Sequence, residues 1–356
     1  MRILLHSRFY PSIGGIETVA ELLSREWQRR GAEVVIVSDV ACNSEQRRDF
    51  GFPVYYRPNA IEWLRLLRWS ELFVHMNLSL RALWPRLLVR RPLVVVNHCF
   101  YYSDRYGARD WREHLKLRLL AGATNIAVSN AVAEQIATPC VVIPNPVNLA
   151  FSVAKRAQRN RELAFVGRLV SDKGGDLLLK VLRQLRDHGL RPKLTIIGDG
   201  PERPSLQRQA AALALTEQVE FTGWQSAERI AELLARHEIL VIPSLVAESF
   251  GVSALEGAAA GCVLLGADGG GLPEAIGPAG ITFHRGDAAD LSAKLECLLR
   301  APQDWPRYRD AAPAHLARHW PAEMATRNRE GFAAAVSEHV PRTSVAKPIS
   351  AAKAAQ

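Results

Sequence analysis

The chain reads ILVIPSLVAESFGVSALEGAAA from residue 239 to residue 260. Its apolar beginning, residues 239–242, is typical of a buried strand, and residues 252–260 are typical of a helix. Two glutamates border the start of that helix, with Glu248 in the connecting loop and Glu256 on the helix itself. In open α/β sheets, ligands bind at the carboxyl ends of the strands. This stretch therefore predicts an α/β fold and a binding edge within it.

The same alternation of apolar runs and helical segments extends along the whole chain. Continuous apolar runs are typical of parallel strands covered on both faces, so we expect two doubly wound, Rossmann-like parallel sheets. A polar stretch, residues 155–162, reads as the linker between them. The predicted strands are residues 3–5, 34–37, 54–56, 73–76, 93–96, 126–128 and 141–143 before it, and residues 163–166, 194–197, 219–222, 239–242, 263–265 and 281–283 after it.

These patterns predict two domains facing a cleft. Residues 1–154 form the first domain and residues 155–320 the second, while a helix at about residues 321–340 packs back on the first. The last segment, residues 341–356, has little apolar surface to bury, so we expect it to be disordered.

Composition is that of a globular protein, with 48% hydrophobic and 23% charged residues in 356. No apolar run approaches the roughly 18 residues of a membrane span, and the N-terminus is too short in apolar residues for a signal-peptide core. The five cysteines are scattered and form no close pair, which favours a reducing compartment and disfavours a metal cluster. We therefore expect a cytoplasmic protein.

The charge is unevenly placed. The net charge is +9, and residues 57–118 hold 12 Lys and Arg against 5 Asp and Glu. Such an excess suits an anionic partner, either nucleic acid, an acidic membrane or a phosphorylated substrate, or else an ordinary solvated surface. Residues 61–69 are amphipathic and place two tryptophans beside arginines, which suits a membrane interface or a helix packed on its own sheet.

Two glycine-containing loops are candidate phosphate sites. Gly14 and Gly15 follow the first strand and begin a helix, so their amides can approach a phosphate closely. Arg168 and Lys173 lie in the loop after the first strand of the second sheet. A planar guanidinium and a compact ammonium on one loop together suit a diphosphate.

Further candidate ligands lie at the same strand ends. His98 follows strand 93–96 and would point into the cleft, although a lone histidine is as often structural. Gly198–Gly200 and Gly269–Gly271 follow later strands and read as turns that shape the site wall or face the ligand. Glu248 and Glu256 would hydrogen-bond a polyhydroxylated ligand, assisted by backbone amides at the helix start. Those amides belong to Ser249, Phe250, Gly251 and Val252.

Several common motifs are absent from the sequence. There is no Asp-x-Asp, no His, Cys and Asp cluster with metal-ligand spacing, no Gly-x-Gly-x-x-Gly after the first strand and no P-loop. A nicotinamide enzyme and a P-loop ATPase are thereby disfavoured. We expect no metal and no cofactor, so cations and helix N-termini would have to stabilise a bound diphosphate.

The motifs, in this order, resemble those of the GT-B glycosyltransferases of family 4. The matching residues are Gly14–Glu17, Ser129, Ile143–Asn148, Gly167–Arg168, Lys173–Gly174, Gly198–Pro201, Glu248–Glu256, Gly269–Gly270 and Glu274. The resemblance covers about residues 1–340 and is loosest between 40 and 120. It implies a GT-B fold and transfer of a sugar, with retention, from a nucleotide-diphosphate-sugar donor to an acceptor bound by the first domain.

The resemblance also implies a role for each site residue. Arg168 and Lys173 would hold the diphosphate, Glu256 the ribose, and Glu248 the donor sugar, while His98 would lie near the sugar and the acceptor. We expect a glycan or lipid-linked acceptor of lipopolysaccharide or exopolysaccharide synthesis and contact with an anionic inner-membrane surface. A nucleotide-sugar epimerase or phosphorylase and a non-catalytic nucleotide-sugar-binding scaffold are the alternatives; no motif supports nucleic-acid binding.

Overall fold

The structure is a computed structural model that describes residues 1–11, 14–43, 46–101, 111–136, 138–153 and 159–339. Within these residues the chain forms two parallel sheets, one before and one after the predicted linker. The GT-B-like α/β architecture expected from the sequence is therefore confirmed. The tail expected to be disordered, residues 341–356, lies outside the described residues.

The first sheet is built from the seven strands predicted for it. They are β1 (Arg2–His6), β2 (Glu33–Ser38), β3 (Val54–Tyr56), β4 (Leu72–Met76), β5 (Leu93–Asn97), β6 (Thr124–Ala127) and β7 (Cys140–Val142). Their spatial order is β3-β2-β1-β4-β5-β6-β7, and every pair is parallel. The strand order reverses beside β1, which creates a crevice at the carboxyl ends of β1 and β4.

The second sheet repeats this plan with six strands. They are β8 (Arg161–Val166), β9 (Leu194–Ile197), β10 (Val219–Gly223), β11 (His237–Ile242), β12 (Val263–Ala267) and β13 (Gly280–Phe283). Their order is β10-β9-β8-β11-β12-β13, again all parallel. The reversal lies between β8 and β11. The loops carrying Lys173 and Glu248 follow these two strands, so they leave the sheet side by side.

Helices connect the strands in both halves. They are α1 (Gly15–Arg29), α2 (Ala60–Trp69), α3 (Leu80–Leu83), α4 (Trp111–Leu120), α5 (Asn130–Ala133), α6 (Ala150–Val153), α7 (Gly175–Asp187), α8 (Arg203–Ala212), α9 (Ala227–Leu234), α10 (Val252–Ala259), α11 (Leu272–Ile276), α12 (Ala288–Arg300), α13 (Trp305–Ala317) and α14 (Pro321–His339). Short 3₁₀ turns lie at Trp84–Leu87, Ser171–Lys173, Gly277–Ala279 and Pro302–Asp304.

The core follows from the apolar composition of the strands. Every residue of β4, β5, β9 and β12 is buried, since helices cover both faces of each sheet. Burying one large aliphatic side chain contributes roughly 1.5–3 kcal/mol. The continuous apolar runs thus explain both the parallel arrangement and its stability.

The predicted linker is wrong at its C-terminal end. Arg161 and Glu162 belong to β8, because the amide of Arg161 donates to the carbonyl of Arg236 before β11. The guanidinium of Arg161 also bonds Thr195 on the neighbouring strand β9 and Glu220 on β10, the strand beyond it. Cross-strand partners thereby recruit a polar segment into the sheet. Strands β6 and β7 likewise begin one to two residues earlier than predicted.

The last helix returns to the first sheet. Helix α14 packs against α1, β5 and β6, and Phe332 makes an edge-on contact with Trp27 at a ring distance of 5.0 Å. The amide of Val147 donates to the carbonyl of His319 at 2.7 Å. This bond joins the two segments in which the chain passes between the sheets. Burial lowers the pKa of His319 to about 4, so its ring is neutral there.

The amphipathic segment near residue 61 packs on its own sheet. Helix α2 starts at a capping box between Asn59 and Glu62, and its Trp63 and Leu67 are buried. The ring of Trp63 lies edge-on to Phe73 of β4 at 6.0 Å. The segment is therefore a helix packed on its own sheet through Trp63 and Leu67, while its Arg65 and Arg68 are exposed.

Backbone contact between two loops positions the candidate diphosphate loop. Gly174 has φ +70°, and a Cβ at this position would lie 1.9 Å from the carbonyl oxygen of Pro243, which follows β11. Next to it, the amide of Leu245 donates to the carbonyl of Asp172 at 2.8 Å. The loop after β8 is thus joined directly to the loop after β11.

We predict that Gly174→Ala lowers the free energy of unfolding by about 3 kcal/mol, because left-handed strain adds to a forced displacement of the Pro243 backbone. Gly31→Ala is the matched control, since Gly31 has φ +82° but nothing within 4 Å of a Cβ. It should cost about 1 kcal/mol, from strain alone. Urea unfolding measures both, and equal losses would contradict the close packing described for Gly174.

Candidate functional site

Two helix N-termini meet at the cleft between the sheets. Helix α1 has Gly14 as its N-cap, and helix α10 has Gly251, at φ +97°. A Cβ built on Gly15 would lie 3.9 Å from Val252 Cγ2, so the two ends are neighbours. Among the described residues, no acceptor takes the backbone amides of Phe250, Gly251 or Val252. Free amides and two positive helix ends create a place that favours an anion.

An ion pair lies beside these helix ends. Lys173 Nζ donates to Glu248 Oε1 at 2.5 Å, and the hydroxyl of Ser244 donates to the same oxygen at 2.6 Å. The side chain of Glu248 is 17% exposed and that of Lys173 is 34% exposed. The sequence assigned these two residues to different parts of a ligand. The structure brings them into direct contact, with Ser244 as a partner that the sequence reading missed.

Glycines hold the backbone of Glu248 in place. The amide of Gly271 donates to the Glu248 carbonyl at 2.7 Å, and Gly270 pairs with Glu248 in an isolated parallel bridge. Gly270 has φ +68°, and a Cβ there would lie 2.2 Å from that carbonyl oxygen. The Gly269–Gly271 segment therefore supports the candidate site through backbone packing. Gly198 and Gly200 support the loop after β8 in the same way, against Gly167 and Leu169.

Arg168 is exposed at the start of the loop that carries Lys173. None of the described residues offers its guanidinium a hydrogen bond or an ion pair. Lys173 is engaged by Glu248, whereas Arg168 is available to a ligand. The ion pair with Glu248 therefore fixes the position of Lys173, whereas the side chain of Arg168 can turn toward a bound anion.

Glu256 lies in the second turn of α10, whereas Glu248 lies in the loop before that helix. Glu256 is half-buried as a whole residue, and the protein that surrounds its carboxyl group raises the pKa of that group to about 8. Desolvation alone is the cause, because no cation in the described part of the chain pairs with it. A partly accessible carboxyl group without a partner is suited to accept hydrogen bonds from a ligand's hydroxyl groups.

His98 is buried after β5. Its backbone amide donates to Asn77 Oδ1 at 2.6 Å, and Nε2 lies 3.1 Å from Met76 Sδ. Burial lowers the pKa of His98 to about 4, against a smaller opposing effect of Asn145, so the ring is neutral. Nδ1 is buried and makes no direct hydrogen bond to the described residues. The neutral ring is therefore held in place by its surroundings.

Two further contacts join the sheets beside the site. The hydroxyl of Ser129 donates to the Ser249 carbonyl at 2.7 Å. Glu274 accepts from the amide of Asn130 at 3.0 Å and from its side chain at 2.8 Å, and it also reaches the amide of Ala131 at 3.4 Å. A carboxylate from the second sheet therefore caps helix α5 of the first. Ser129 and Glu274 belong to the quoted motifs, but their spacing in sequence could not show this contact.

The described residues contain neither a group of metal ligands nor a helix that could span a membrane. No three His, Cys, Asp or Glu side chains within them are grouped so that they could hold a metal ion. No helix in this part of the chain combines the length and the apolar composition that crossing a bilayer requires.

Family models match nearly the whole described chain. A model described as Glycosyltransferase Family 4 matches residues 13–151, and one described as Glycosyl transferases group 1 matches residues 150–315. A curated relative, the D-inositol 3-phosphate glycosyltransferase of Nocardia farcinica, is 29% identical over 80% of this chain and 66% of its own length. The chain thus spans about two thirds of that relative.

Solved structures share the fold. HepE from Anabaena, solved in complex with UDP, aligns with a TM-score of 0.78 and 19% identity over 94% of this chain and all of its own. The lipopolysaccharide outer core galactosyltransferase WaaB aligns with a TM-score of 0.72 and 17% identity, over 94% of this chain and 99% of its own. At these identities the likeness concerns the fold.

We predict that Glu274→Ala lowers the free energy of unfolding by about 1–2 kcal/mol, because it removes the cap of α5 that bridges the two sheets. Small-angle scattering should also show a larger radius of gyration as the sheets separate. Glu323→Ala is the matched control, since Glu323 is an exposed glutamate in the first turn of α14. An unchanged radius of gyration for Glu274→Ala would contradict a bridging role.

Proposed function

Because the chain belongs to the glycosyl transferases of group 1 and is a glycosyltransferase, we propose that its donor is a nucleotide-diphosphate sugar and that transfer retains the anomeric configuration. The observation that carries this proposal is the meeting of two helix N-termini, one from each sheet, beside Lys173 and Arg168. Anionic ligands are stabilised by such helix ends and cations together. A diphosphate bridging the cleft would use all of them.

The proposed donor site has a place for each part of the ligand. The diphosphate contacts Gly14, Gly15 and the amides from Ser249 to Val252, with Arg168 and Lys173 neutralising its charge. Glu256 accepts hydrogen bonds from the ribose, and Glu248 accepts them from the donor sugar. His98, whose ring is neutral, lies on the acceptor side of the sugar.

The proposed reaction needs no separate base. The bond between the anomeric carbon and the departing phosphate oxygen breaks, and the acceptor oxygen bonds to the same face of the carbon. The acceptor proton passes to the departing phosphate oxygen. Arg168, Lys173 and the helix ends stabilise the charge that develops on the diphosphate as it leaves. We propose that no metal takes part, because these groups supply the positive charge.

In the Lys173–Glu248 pair, each charged group is the partner of the other. Removing either partner would leave a partly buried charge uncompensated, which is more costly than exchanging one partner for another. A donor that brings its diphosphate to Lys173 and its sugar hydroxyls to Glu248 offers both groups new partners at once. We therefore propose that the pair separates, at least in part, when the donor binds.

The proposed acceptor is a glycan or a lipid-linked glycan of the bacterial envelope. The structural neighbour WaaB is named for lipopolysaccharide outer core synthesis, and the basic segment 57–118 suits an anionic inner-membrane surface. None of the five cysteines is disulfide-bonded. We therefore propose that the protein works in the cytoplasm, at the membrane.

We predict that one of UDP, GDP and ADP binds tightly in the presence of EDTA, and that Lys173→Ala weakens this binding at least tenfold through loss of a charge-assisted contact. Isothermal titration calorimetry measures both affinities. Lys180→Ala is the matched control, because Lys180 is an exposed lysine paired with Asp176 on α7. Binding that required added Mg²⁺ would contradict the metal-free site, and an unaffected Lys173→Ala would contradict the placement of the diphosphate.

We also predict that nucleotide binding at neutral pH releases a proton. With a pKa of about 8, Glu256 is mostly protonated in the free protein. Hydroxyl groups that donate to a carboxylate favour its ionised form, so a bound ribose lowers this pKa. Affinity should therefore rise with pH through neutrality and level off above the free-protein pKa.

Calorimetry in buffers of different ionisation enthalpy counts the released proton. Glu256→Gln should abolish the release and flatten the pH dependence, whereas Glu217→Gln, at an exposed glutamate, should leave both unchanged. Proton uptake on binding, or release that persists in Glu256→Gln, would show that Glu256 does not meet the ribose.

A further inference from the structure

Helix α4 carries apolar side chains on both of its faces. Leu117 and Leu120 point inward, with Leu120 fully buried. On the opposite side, Trp111 is 66% exposed, and Leu115 and Leu119 are each 38% exposed. These three follow one another at intervals of four residues, so they form one stripe along the helix. A helix at an ordinary protein surface places polar residues there.

The exposed stripe belongs to a larger layer. The connections from β3 to β4, from β4 to β5 and from β5 to β6 all cross the sheet in the same direction. Because such connections are right-handed, the helices within them, α2 and α4 among these, lie on one face of the sheet. The connection from β1 to β2 crosses in the opposite direction, which places α1 on the other face together with α14. We call residues 60–69, 84–91 and 111–120 the outer helical layer. It adds exposed Ile61, Leu87 and Leu88, at 81%, 85% and 67%.

Exposed cations accompany these apolar groups. Arg65 and Arg68 on α2, Arg90 after the 3₁₀ turn and Arg118 on α4 are all exposed. No ion pair to any of them occurs within the described residues. Arg91, by contrast, bonds the carbonyls of Leu67 and Arg68 and so ties the layer together. The free guanidinium groups need anionic partners that this part of the chain does not supply.

We propose that the outer helical layer docks on the surface of an anionic phospholipid bilayer. Its tryptophan and leucines would enter the interface between headgroups and acyl chains, and its arginines would bind the lipid phosphates. This proposal rests on the proposed lipid-linked acceptor and names the surface that brings the protein to it. Of the two tryptophans of α2 expected to do so, Trp63 is buried and Trp69 packs against the core, and α4 and the 3₁₀ turn take their place.

A bilayer fits these side chains better than a protein partner. The cores of protein interfaces are depleted of charged residues, whereas here arginines alternate with the apolar groups on each segment. Lipid headgroups supply phosphates beside an apolar interior, which matches that mixture. A second copy of the chain would bring arginine against arginine, because both copies carry the same charge.

The test uses the full chain and vesicle co-sedimentation. We expect binding to vesicles of phosphatidylcholine mixed with phosphatidylglycerol at low salt, with weaker binding at high salt and little to phosphatidylcholine alone. Arg65→Gln, Arg68→Gln and Arg90→Gln together should reduce affinity on the order of a hundredfold, from about fivefold for each arginine. Arg191→Gln, Arg208→Gln and Arg236→Gln form the control, since these arginines are exposed in the second sheet's half.

A second set tests the apolar stripe. Trp111→Ser, Leu115→Ser and Leu119→Ser together should reduce vesicle affinity at least tenfold. Trp320→Ser with Leu149→Ser is the control, because these side chains are 53% and 40% exposed elsewhere. All substituted side chains are exposed, and urea midpoints equal to that of the wild type would show that folding is preserved.

Several results would overturn the proposal. These are equal losses in test and control variants, equal binding to neutral and anionic vesicles, and a self-association that the serine variants abolish, which light scattering would detect. Nucleotide affinity measured on the same variants separates this proposal from the proposed function. Lost vesicle binding with intact nucleotide binding supports both proposals, whereas vesicle binding by a protein that binds no nucleotide would contradict only the donor site.

Discussion

Close contact of backbone on backbone, at the carboxyl edge of the second sheet, is the constraint on which the site depends. Gly174 lies against the carbonyl of Pro243, and Gly270 and Gly271 lie against that of Glu248. Any side chain at these positions would push the loops after β8, β11 and β12 apart. Lys173 and Glu248 come from two of these loops, so the 2.5 Å ion pair between them exists because the glycines let the loops meet.

The helix ends at this edge favour an anion. The N-termini of α1 and α10 are positive ends that lie next to one another, and Arg168 has no partner in the described part of the chain. Lys173 neutralises Glu248, and a pKa of about 8 keeps Glu256 mostly protonated at neutral pH. These two acidic groups therefore add little negative charge beside the helix ends, which favours the binding of a diphosphate.

Polar contacts join the two halves beside the site. Ser129 meets the Ser249 carbonyl, Glu274 caps α5, and Val147 bonds the carbonyl of His319. Such interfaces resemble transient ones between separate proteins, and relative domain motion is their usual consequence. The same contacts lie beside the proposed donor site, so a ligand that spans the two halves would act on both.

Much of the fold and part of the site could be predicted from residue order. All thirteen predicted strands overlap observed ones. The prediction succeeds because short, continuous apolar runs are typical of parallel strands that are buried on both faces. Arg161 and Glu162 were assigned to the linker, since their place in β8 depends on Thr195, Glu220 and Arg236 from distant segments. Local polarity could not reveal those partners.

The sequence by itself determined the architecture, the candidate ligands and the family of the enzyme, since periodicity and motif spacing are local properties. Tertiary structure decided which of those ligands meet. It paired Lys173 with Glu248, left Arg168 without a partner among the described residues, raised the pKa of Glu256 and buried Trp63 while exposing Trp111. Charge, desolvation and exposure depend on atoms from remote parts of the chain, which only folding brings within a few ångströms of one another.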